Sequence, residues 1–314
     1  MRSPRDAFGK SLVEEGEKRK DLVVLTADVA DATRTKWFAE KFPDRFINVG
    51  ISEQAMIGMS AGLSAVGFLP LASAFAMFLM RAWEQMRNMI CRAHVNVKVV
   101  ATHAGFSDAG DGSSHQCLED VALMRTLPCM TVVVPADPLE VYKATKAILD
   151  YPTPVYMRIG RDYGPTIHKE DYEFEIGKAE WLRDGHDYVI VGNGPLLWDA
   201  LKAADHLREN GISVAVINMH TVKPLDTQTL TKLFNFNGIV TIEEHSVRGG
   251  LGSAVAEFLL QHSTSTSPPP PMEIMGARGY GRSARDVRQL IIAQGLDSTS
   301  IINAVKRLER RTKL

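Results

Sequence analysis

Cysteine is scarce in this chain of 314 residues, and its scarcity argues against two classes of protein. The three cysteines, Cys91, Cys117 and Cys129, show no CxxC spacing and do not form an even set. A disulfide framework or a cysteine-based zinc site would need such a pattern. We interpret each cysteine as a small core residue, which is typical of a protein kept in a reducing compartment.

An excess of charge of one sign and long apolar runs are also missing. Lys and Arg number 36 against 37 Asp and Glu, a formal net charge of −1, so the composition indicates no nucleic acid or other polyanion as partner. No apolar stretch reaches about 18 residues without a charge, which predicts no membrane span. Residues 1–8 contain no run that resembles a signal peptide, so we expect a cytoplasmic protein.

Short apolar runs alternate with segments of helical periodicity along most of the chain. Strands are predicted at 22–26, 45–49, 69–73, 95–101, 131–135, 155–158, 188–192, 214–218 and 238–242, and helices at 54–66, 75–91, 138–149, from about 195, and 253–261. This alternation predicts two doubly wound α/β domains, each with a mostly parallel sheet covered by helices on both faces.

A polar stretch at 162–184 without clear periodicity predicts an irregular connector between the two units. We therefore expect one domain at 1–165, a linker at 166–184 and a second domain at 185–314. The length agrees with about two domains. The low-complexity run at 263–271 predicts an exposed loop.

Glu53 is a carboxylate at a predicted strand-to-helix junction, in a stretch with almost no other charge. The nearest ionisable side chains are Arg45 upstream and Arg81 downstream. We expect poor solvation to raise the pKa of Glu53, as suits a group that exchanges protons near neutral pH. The alternative is a glutamate in a first helical turn that interacts favourably with the helix dipole. The local sequence leaves both interpretations open.

The loop at 102–116 carries two histidines, two aspartates and three glycines directly after a predicted strand. Ligands of doubly wound sheets bind at the carboxyl ends of strands, and glycine allows close approach of the backbone. His103 and His115 are suited to donate hydrogen bonds or to move protons. The alternative is a flexible surface loop with chance histidines.

The same loop raises the question of a metal site. His103, Asp108, Asp111 and His115 match no standard zinc spacing. Asp111 also stands in a Gly-Asp-Gly string, which in some diphosphate enzymes holds Mg²⁺, but no asparagine follows roughly 25 residues later to complete the oxygen ligands. We therefore predict no metal bound by this chain.

Three further patterns carry two interpretations each. Phe75 and Phe78 fit either a helix core or an aromatic face that stacks on a flat heterocycle. Arg158 and Arg161 follow a strand and suit either an anion or a solvated turn. The glycines at 249–252 lack the dinucleotide-binding spacing and predict a tight turn before a helix. Beside them lies a polar group that suits an interface or a ligand edge: Glu243, Glu244, His245 and Arg248.

Taken together, six strings resemble the C-terminal half of a transketolase, which consists of a pyrimidine-binding domain and a small C-terminal domain. In chain order they are 26–30, 48–54, 73–78, 102–103, 111–116 and 159–161. They are spread in order from residue 26 to residue 161. Because the N-terminal half of the family is missing, the resemblance implies the beta-type subunit of a split transketolase.

The resemblance implies thiamine diphosphate as cofactor and assigns residues to it. Glu53 matches the glutamate that hydrogen-bonds N1′ of the aminopyrimidine. Phe78 matches the ring that stacks on the pyrimidine, and Phe75 lines the same pocket. Asp28 matches an aspartate near the cofactor. Arg81 stands at a cofactor contact where the usual pattern has tyrosine.

The resemblance also implies a substrate site. His103, Asp111 and His115 match residues that contact sugar hydroxyls, and with Glu53 the two histidines form the expected catalytic set. Arg161, and with a weaker match Arg5, correspond to arginines that hold a sugar phosphate. At 104–105 the chain has Ala-Gly where many transketolases have Asp-Ser, which leaves the sugars open, including non-phosphorylated or sulfonated ones.

The implied activity is transfer of a two-carbon ketol unit from a ketose to an aldose. The diphosphate of the cofactor needs Mg²⁺ and oxygen ligands, and this chain offers neither the complete Gly-Asp-Gly site nor a P-loop. We therefore expect an N-terminal-half partner subunit that ligates Mg²⁺, in an α2β2 assembly. The alternatives are a deoxyxylulose-phosphate-synthase-like or 2-oxo acid dehydrogenase beta-like subunit, and a non-catalytic scaffold subunit.

Overall fold

The computed structural model describes residues 3–161 and 164–312, without the side chain of residue 312. The first part of the chain alternates strands and helices, as the sequence predicts. In chain order the elements are α1 (Pro4–Lys18), β1 (Leu22–Thr26), α2 (Ala30–Thr33), α3 (Lys36–Lys41), β2 (Phe46–Asn48), α4 (Glu53–Ala65), β3 (Leu69–Phe75), α5 (Ala76–Leu79), α6 (Trp83–Gln85), β4 (Lys98–Thr102), α7 (Asp120–Arg125), β5 (Thr131–Val133), α8 (Pro138–Asp150) and β6 (Val155–Arg158).

The second part repeats this alternation. Its elements are β7 (Glu180–Arg183), β8 (Tyr188–Gly192), α9 (Leu197–Glu209), β9 (Val214–Asn218), β10 (Thr221–Lys223), α10 (Thr227–Lys232), β11 (Gly238–Ser246), α11 (Leu251–His262), β12 (Met272–Ala277), α12 (Val287–Ala293) and α13 (Ser298–Thr312). Among the described residues, no helix combines the length and the apolar character needed to cross a bilayer.

Two mostly parallel sheets organise the molecule, which confirms the predicted fold class. The first has the strand order β10-β5-β6-β4-β3-β1-β2, and the second β12-β11-β8-β9-β7. The central strands β1, β4 and β8 are buried along their whole length, as expected for strands covered on both faces. In each sheet one edge strand runs antiparallel: β10 in the first and β7 in the second.

Two short strands depart from the expected organisation. Strand β10 comes from the second half of the chain but pairs with β5, with Thr221 opposite Val133, so it completes the sheet of the first half. Strand β7 lies inside the stretch predicted to be irregular, and that prediction is wrong for 180–183. Its half-buried residues Trp181 and Leu182 form an edge that pairs with β9. The domain bounds 1–165 and 185–314 stay a prediction.

The segment expected to be one helix from residue 75 to 91 is divided. A 3₁₀ turn at Met80–Ala82 and a π-helical turn at Met86–Cys91 flank the short α6. The apolar residues that recur at helical spacing in this segment are nevertheless largely buried, since Leu79, Ala82 and Ile90 are inaccessible to solvent. Helical periodicity therefore located the core-facing side without locating the changes in helix type.

Helix α4 was expected to be buried, and that is correct for one face only. Met56, Ile57 and Ala61 point into the core, but Met59 is 50% exposed. Apolar side chains that flank this outer face are exposed as well. We call the set the α4 face: Ile51, Met59, Val66, Phe68 and Met89, all of them exposed large hydrophobic residues. Small and apolar composition alone could not separate a helix buried in the chain from one with an open apolar face.

Candidate active site

The predicted site residues follow the carboxyl ends of adjacent parallel strands. The order β4-β3-β1-β2 places Thr102, Phe75, Thr26 and Asn48 at one edge of the sheet. His103 directly follows β4, Asp28 follows β1, and Glu53 opens α4 after β2. Because parallel strands end together, one sheet edge collects groups from distant parts of the sequence.

An aromatic wall forms the centre of this edge. The ring of Phe75 stacks on that of Phe78, with centroids 5.0 Å apart and an interplanar angle of 8°. On its other side the Phe75 ring stacks on His103, with centroids 3.6 Å apart. His115 meets Phe78 edge-on at 5.7 Å. We call these four side chains the aromatic wall; it joins the predicted cofactor residues to the predicted substrate residues.

His103 is held in an unusual conformation and as a neutral ring. Its φ of 56° lies in the left-handed region, a strained conformation for a residue other than glycine. Burial lowers the pKa of His103, and the positive charges of Arg5, Arg161 and Arg34 lower it further, to about 2. Nε2 lies 3.4 Å from the Arg5 guanidinium and Nδ1 lies 2.8 Å from the Thr102 hydroxyl. Arginine only donates, so the proton of the neutral ring belongs on Nδ1.

Two predicted anion-binding arginines meet beside His103. The Nε of Arg5 donates to the backbone oxygen of Arg161 at 3.2 Å, and its Nη1 donates to that of Ala32 at 2.8 Å. Arg161 forms an ion pair with Asp108, which is inaccessible to solvent. Burial raises the pKa of Asp108 against the opposing effect of Arg161. The structure thus places Arg5, Arg161 and His103 together, as the resemblance implies, and adds Asp108.

Asp108, Asp111 and His115 converge in the same loop. One ligand atom from each lies within 4.8 Å of the others. These are three of the four residues weighed as metal ligands in the sequence, whereas His103 lies in the wall. Asp111 is exposed and His115 half-buried, and the His115 Nδ1 is 3.0 Å from the Ser114 hydroxyl. The prediction that this chain binds no metal stays a prediction.

Glu53 is buried at the start of α4, with 7% of its surface exposed. Its carboxylate makes no hydrogen bond or ion pair with any described residue. Helix α4 packs against α5, the helix that carries Phe78. A buried carboxylate without a partner is costly unless a ligand completes its hydrogen bonds. Glu53 is therefore placed to accept a hydrogen bond from a ligand at this edge.

Two other predicted cofactor residues are more open. Asp28 is exposed, and its φ of 62° is left-handed. Its backbone N–H and carboxylate both bind the Asn48 side chain, at 3.0 and 3.2 Å, which fixes the end of β1 against the end of β2. Arg81 is exposed, and within the described part of the chain its backbone carbonyl accepts from the Gln54 side chain at 3.1 Å, while its guanidinium has no hydrogen-bond or ion-pair partner there. The side chain of Arg81 is free to approach a ligand or a partner chain.

Arg158 does not reach the site, so the anion-binding interpretation is wrong for it. Its guanidinium is buried and pairs with Asp120, 2.8 Å away, and it donates to the backbone oxygens of Cys117 and Glu244. The Tyr156 hydroxyl completes the cluster by donating to Asp120 at 2.9 Å. Sequence position could not separate Arg158 from Arg161, because strand pairing turns the first inward.

The polar residues just before the glycine turn at 249–252 form an interface within the chain. Glu243 accepts hydrogen bonds from the N–H groups that open α11, at 2.8 and 3.0 Å. Glu244 accepts from the Phe106 N–H at 2.7 Å, and His245 Nε2 accepts from the Ala122 N–H at 3.3 Å. Of the two interpretations of this group, interface and ligand edge, the structure supports the first.

The second half of the chain thereby fixes the shape of the 102–116 loop. Gly105 has a φ of 66°, and a Cβ there would lie 2.7 Å from Glu244 Cδ. The Gln116 side chain accepts from the Gly281 N–H at 2.6 Å, and the Ala109 carbonyl accepts from Ala284 N–H at 2.9 Å. Local sequence patterns do not predict these contacts, because their partners lie more than 130 residues away.

Fold and site together define a two-unit α/β chain with a polar site at the carboxyl edge of its first sheet, a class that includes many enzymes. The sequence profile described as "Transketolase, pyrimidine binding domain" matches residues 2–165, and that of the "Transketolase, C-terminal domain" matches 177–301. The chain therefore belongs to the transketolase family, as its motifs imply.

Individual proteins agree with this assignment. A putative transketolase C-terminal section of Methanocaldococcus jannaschii is 41% identical over 304 residues, 96% of this chain and 94% of the relative. A 6-deoxy-6-sulfo-D-fructose transketolase subunit of Clostridium is 36% identical over 98% of this chain and 94% of its own. A solved structure described as "Split gene transketolase, inactive beta4 tetramer" has a TM-score of 0.90, 41% identity and 98% coverage of both chains.

Proposed function

We propose that this chain is the pyrimidine-binding subunit of a split, thiamine-diphosphate-dependent transketolase. The assembled enzyme would transfer a two-carbon ketol unit from a ketose to an aldose. The observation that carries the proposal is the buried side chain of Glu53 at the start of α4, near the aromatic wall and without a hydrogen-bond or ion-pair partner among the described residues. That pair of features fits the aminopyrimidine of the cofactor, which presents a basic ring nitrogen and a flat face.

The residues of this chain have distinct tasks in that account. Glu53 would hold the pyrimidine by a hydrogen bond to N1′, and the Phe78 ring would support its face. When bound, the cofactor supplies the carbon nucleophile that breaks and remakes the carbon–carbon bond of the sugars. Neutral His103 binds hydroxyls without adding charge, and Arg5 and Arg161 supply the positive charge for a phosphate or sulfonate.

The account also requires a partner subunit. The cofactor's diphosphate and its Mg²⁺ need oxygen ligands that the sequence motifs of this chain do not provide. The exposed α4 face includes Met59 on the helix that begins with Glu53 and Ile51 just before that helix, so a partner that covers the face would lie next to the site. We propose that an N-terminal-half transketolase subunit ligates Mg²⁺ and covers this face in an α2β2 assembly. A cytoplasmic location stays a prediction.

The activity is tested by mixing the chain with its N-terminal-half partner, thiamine diphosphate and Mg²⁺. A ketose phosphate is supplied with and without an aldose acceptor, and products are identified by mass spectrometry. Transketolase activity gives a ketose two carbons longer than the acceptor, only when the acceptor is present. A deoxyxylulose product from pyruvate, or oxidation of a 2-oxo acid, would instead support the related thiamine enzymes.

The partner requirement has its own test, by calorimetric titration of thiamine diphosphate. We expect no tight Mg²⁺-dependent binding to the isolated chain and tight binding to the complex. Tight binding to the isolated chain would contradict the split site.

A further inference from the structure

We propose that Asp108 is a substrate-binding residue that accepts a hydrogen bond from a sugar hydroxyl and favours sugars without a phosphate. This inference rests on the proposed function, because it concerns the same pocket. The family motifs quoted above do not include residue 108. The inference rests on one carboxylate oxygen of Asp108 that has no hydrogen-bond partner among the described residues.

The two carboxylate oxygens of Asp108 have different environments. Oδ1 accepts from the Arg161 guanidinium. Oδ2 is buried and has no hydrogen-bond partner among the residues that the structure describes. Buried polar atoms are almost always paired, so an orphaned carboxylate oxygen beside Asp111 and His115 points to a donor that arrives with a ligand.

The neighbouring donors of Ser107 are already engaged, and the loop is anchored on both sides of Asp108. The Ser107 hydroxyl donates to the Ala104 carbonyl at 2.6 Å, and the Ser107 N–H lies 3.3 Å from the same carbonyl. On the far side, the Ala109 carbonyl is held by the Ala284 N–H. The loop therefore holds Asp108 rigidly while leaving Oδ2 unused.

The position of Asp108 defines the kind of donor. Asp111 and His115, both predicted to contact sugar hydroxyls, have atoms within 4.8 Å of the Asp108 carboxylate. A polyol held by Asp111 and His115 would therefore lie next to the Asp108 carboxylate. Two carboxylates facing one small space attract hydroxyl donors and repel an anion.

The ion pair with Arg161 gives Asp108 a second effect, on whether neutral or phosphorylated substrates bind better. Arg161 is the residue matched to phosphate recognition, and Asp108 compensates its charge through a direct contact. A phosphate must compete with this carboxylate for the guanidinium. Asp108 therefore strengthens binding of neutral polyols and weakens binding of phosphorylated ones.

Asp108→Asn tests both effects with little change of shape. The complex of the chain with its partner is titrated with ribose and with ribose 5-phosphate, by calorimetry, so that the measurement does not depend on turnover. We expect Asp108→Asn to weaken ribose binding about tenfold and to leave ribose 5-phosphate binding unchanged or tighter. Arg161→Gln should shift the ratio in the opposite direction.

Glu119→Gln is the matched control, since it removes one negative charge from the end of the same loop. Glu119 binds the Leu118 N–H at 2.9 Å and the Tyr280 hydroxyl, away from the Asp108 cluster. It should leave the affinity ratio unchanged. Thermal unfolding of each variant shows whether it is folded, and Asp108→Ser serves if Asp108→Asn is not.

The inference is overturned if Asp108→Asn changes both affinities by the same factor, or if the wild-type complex binds neither sugar. Failure of ketol transfer in the product assay, with the affinity ratio still dependent on Asp108, would reject the proposed activity but not the binding role.

Discussion

His103 shows how single residues of the site are set by their surroundings. Its pKa is lowered to about 2 by burial and by the nearby arginine charges, Arg5 first among them. We predict that the His103 ring stays neutral from pH 8 down to pH 4.5, with no titration of its Cε1–H resonance in NMR spectra. Arg5→Gln should raise the pKa of His103. Normal titration of the wild-type ring near pH 6.5 would contradict this environment.

The sign of the stability effect follows from the same shift. A histidine whose folded-state pKa lies below its unfolded value of 6.5 contributes stability that is present above pH 6.5. That contribution is lost as the pH falls toward the folded pKa. His103 should therefore favour unfolding in mild acid, when the unfolded chain is the state that binds the proton.

Gly105 gives a second test at the scale of one residue. Its left-handed φ and the close approach of Glu244 leave no room for a Cβ. We predict that Gly105→Ala lowers the free energy of unfolding by roughly 1–3 kcal/mol, measured by urea denaturation. Gly110→Ala is the control, since its Cβ would meet nothing within 4 Å, and it should cost less than about 0.5 kcal/mol. Equal costs would show that the contact does not shape the loop.

The sequence motifs predicted which residues lie together in the site, but not which side chains contact one another there. Phe75, Phe78, His103, His115 and Arg161 were found from their motifs, and the structure brings them together. The roles assigned to them stay predictions. Asp108 was weighed only as a metal ligand, because nothing in the local sequence shows that its carboxylate is buried against Arg161. That information depends on how the loop closes.

At the scale of elements, the α4 face is the surface that is exposed in the isolated chain and that we expect a partner subunit to cover. Met59 lies 50% exposed on the outer side of α4, and Met89 packs beside it, 3.5 Å from the position of a Cβ on Gly58. We predict that Met59→Asp weakens association with the partner subunit at least tenfold, measured by analytical ultracentrifugation, without lowering the stability of the chain itself.

Ile292→Asp is the control for this variant, because Ile292 is 55% exposed on α12 in the other half of the chain. It should leave association unchanged. If Met59→Asp and Ile292→Asp weaken the complex equally, the α4 face is not the interface. The same experiment without the partner subunit shows whether the face also mediates self-association.

The regular elements of this fold were largely predictable, and the short edge strands were not. Strands β6, β8 and β9 match their predicted bounds, since each is a buried apolar run between polar turns. Strands β7 and β10 are exceptions, because they have three or four residues and pair with strands reached only after folding. Their formation is a tertiary effect that local periodicity does not encode.

At the scale of the whole molecule, a buried polar network joins the connecting segment around His168 and Tyr172 to both halves of the chain. His168 lies between Asp137, 2.8 Å from Nδ1, and Glu180, 2.7 Å from Nε2. Glu140 accepts from Tyr172 at 2.7 Å and from Asn218 at 2.9 Å. The connecting segment is thus tied to α8 on one side and to β7 and β9 on the other, although its sequence is irregular.

The protonation of His168 makes this junction sensitive to pH. Burial alone would lower the pKa of His168, but the hydrogen bonds that its ring donates to Asp137 and Glu180, together with the charge of Glu140, outweigh burial and raise the pKa to about 10. For Glu140, burial acts in the other direction and raises the pKa to about 7. Both groups hold protons more tightly when folded, so their contributions to stability decrease with rising pH, between 4.5 and 7 for Glu140 and between 6.5 and 10 for His168.

We predict that His168→Gln lowers the free energy of unfolding by about 3 kcal/mol at pH 6, because it removes the cation from a buried group of carboxylates. The difference from wild type should shrink as the pH rises from 6.5 to 10. Urea denaturation at several pH values measures it, with His206→Gln, an exposed histidine of α9, as the control. A difference that is independent of pH would contradict a protonated His168.

The most direct test of the central proposal is the ketol-transfer rate of the complex that carries Glu53→Gln. Glutamine has the shape of Glu53 but cannot support the same proton transfers. The proposal predicts a loss of at least about 100-fold in kcat, with the partner complex and its cofactor content intact. The control Glu84→Gln changes an exposed glutamate of α6 and should retain full activity. Unchanged turnover by Glu53→Gln would contradict the proposal and favour a non-catalytic scaffold subunit.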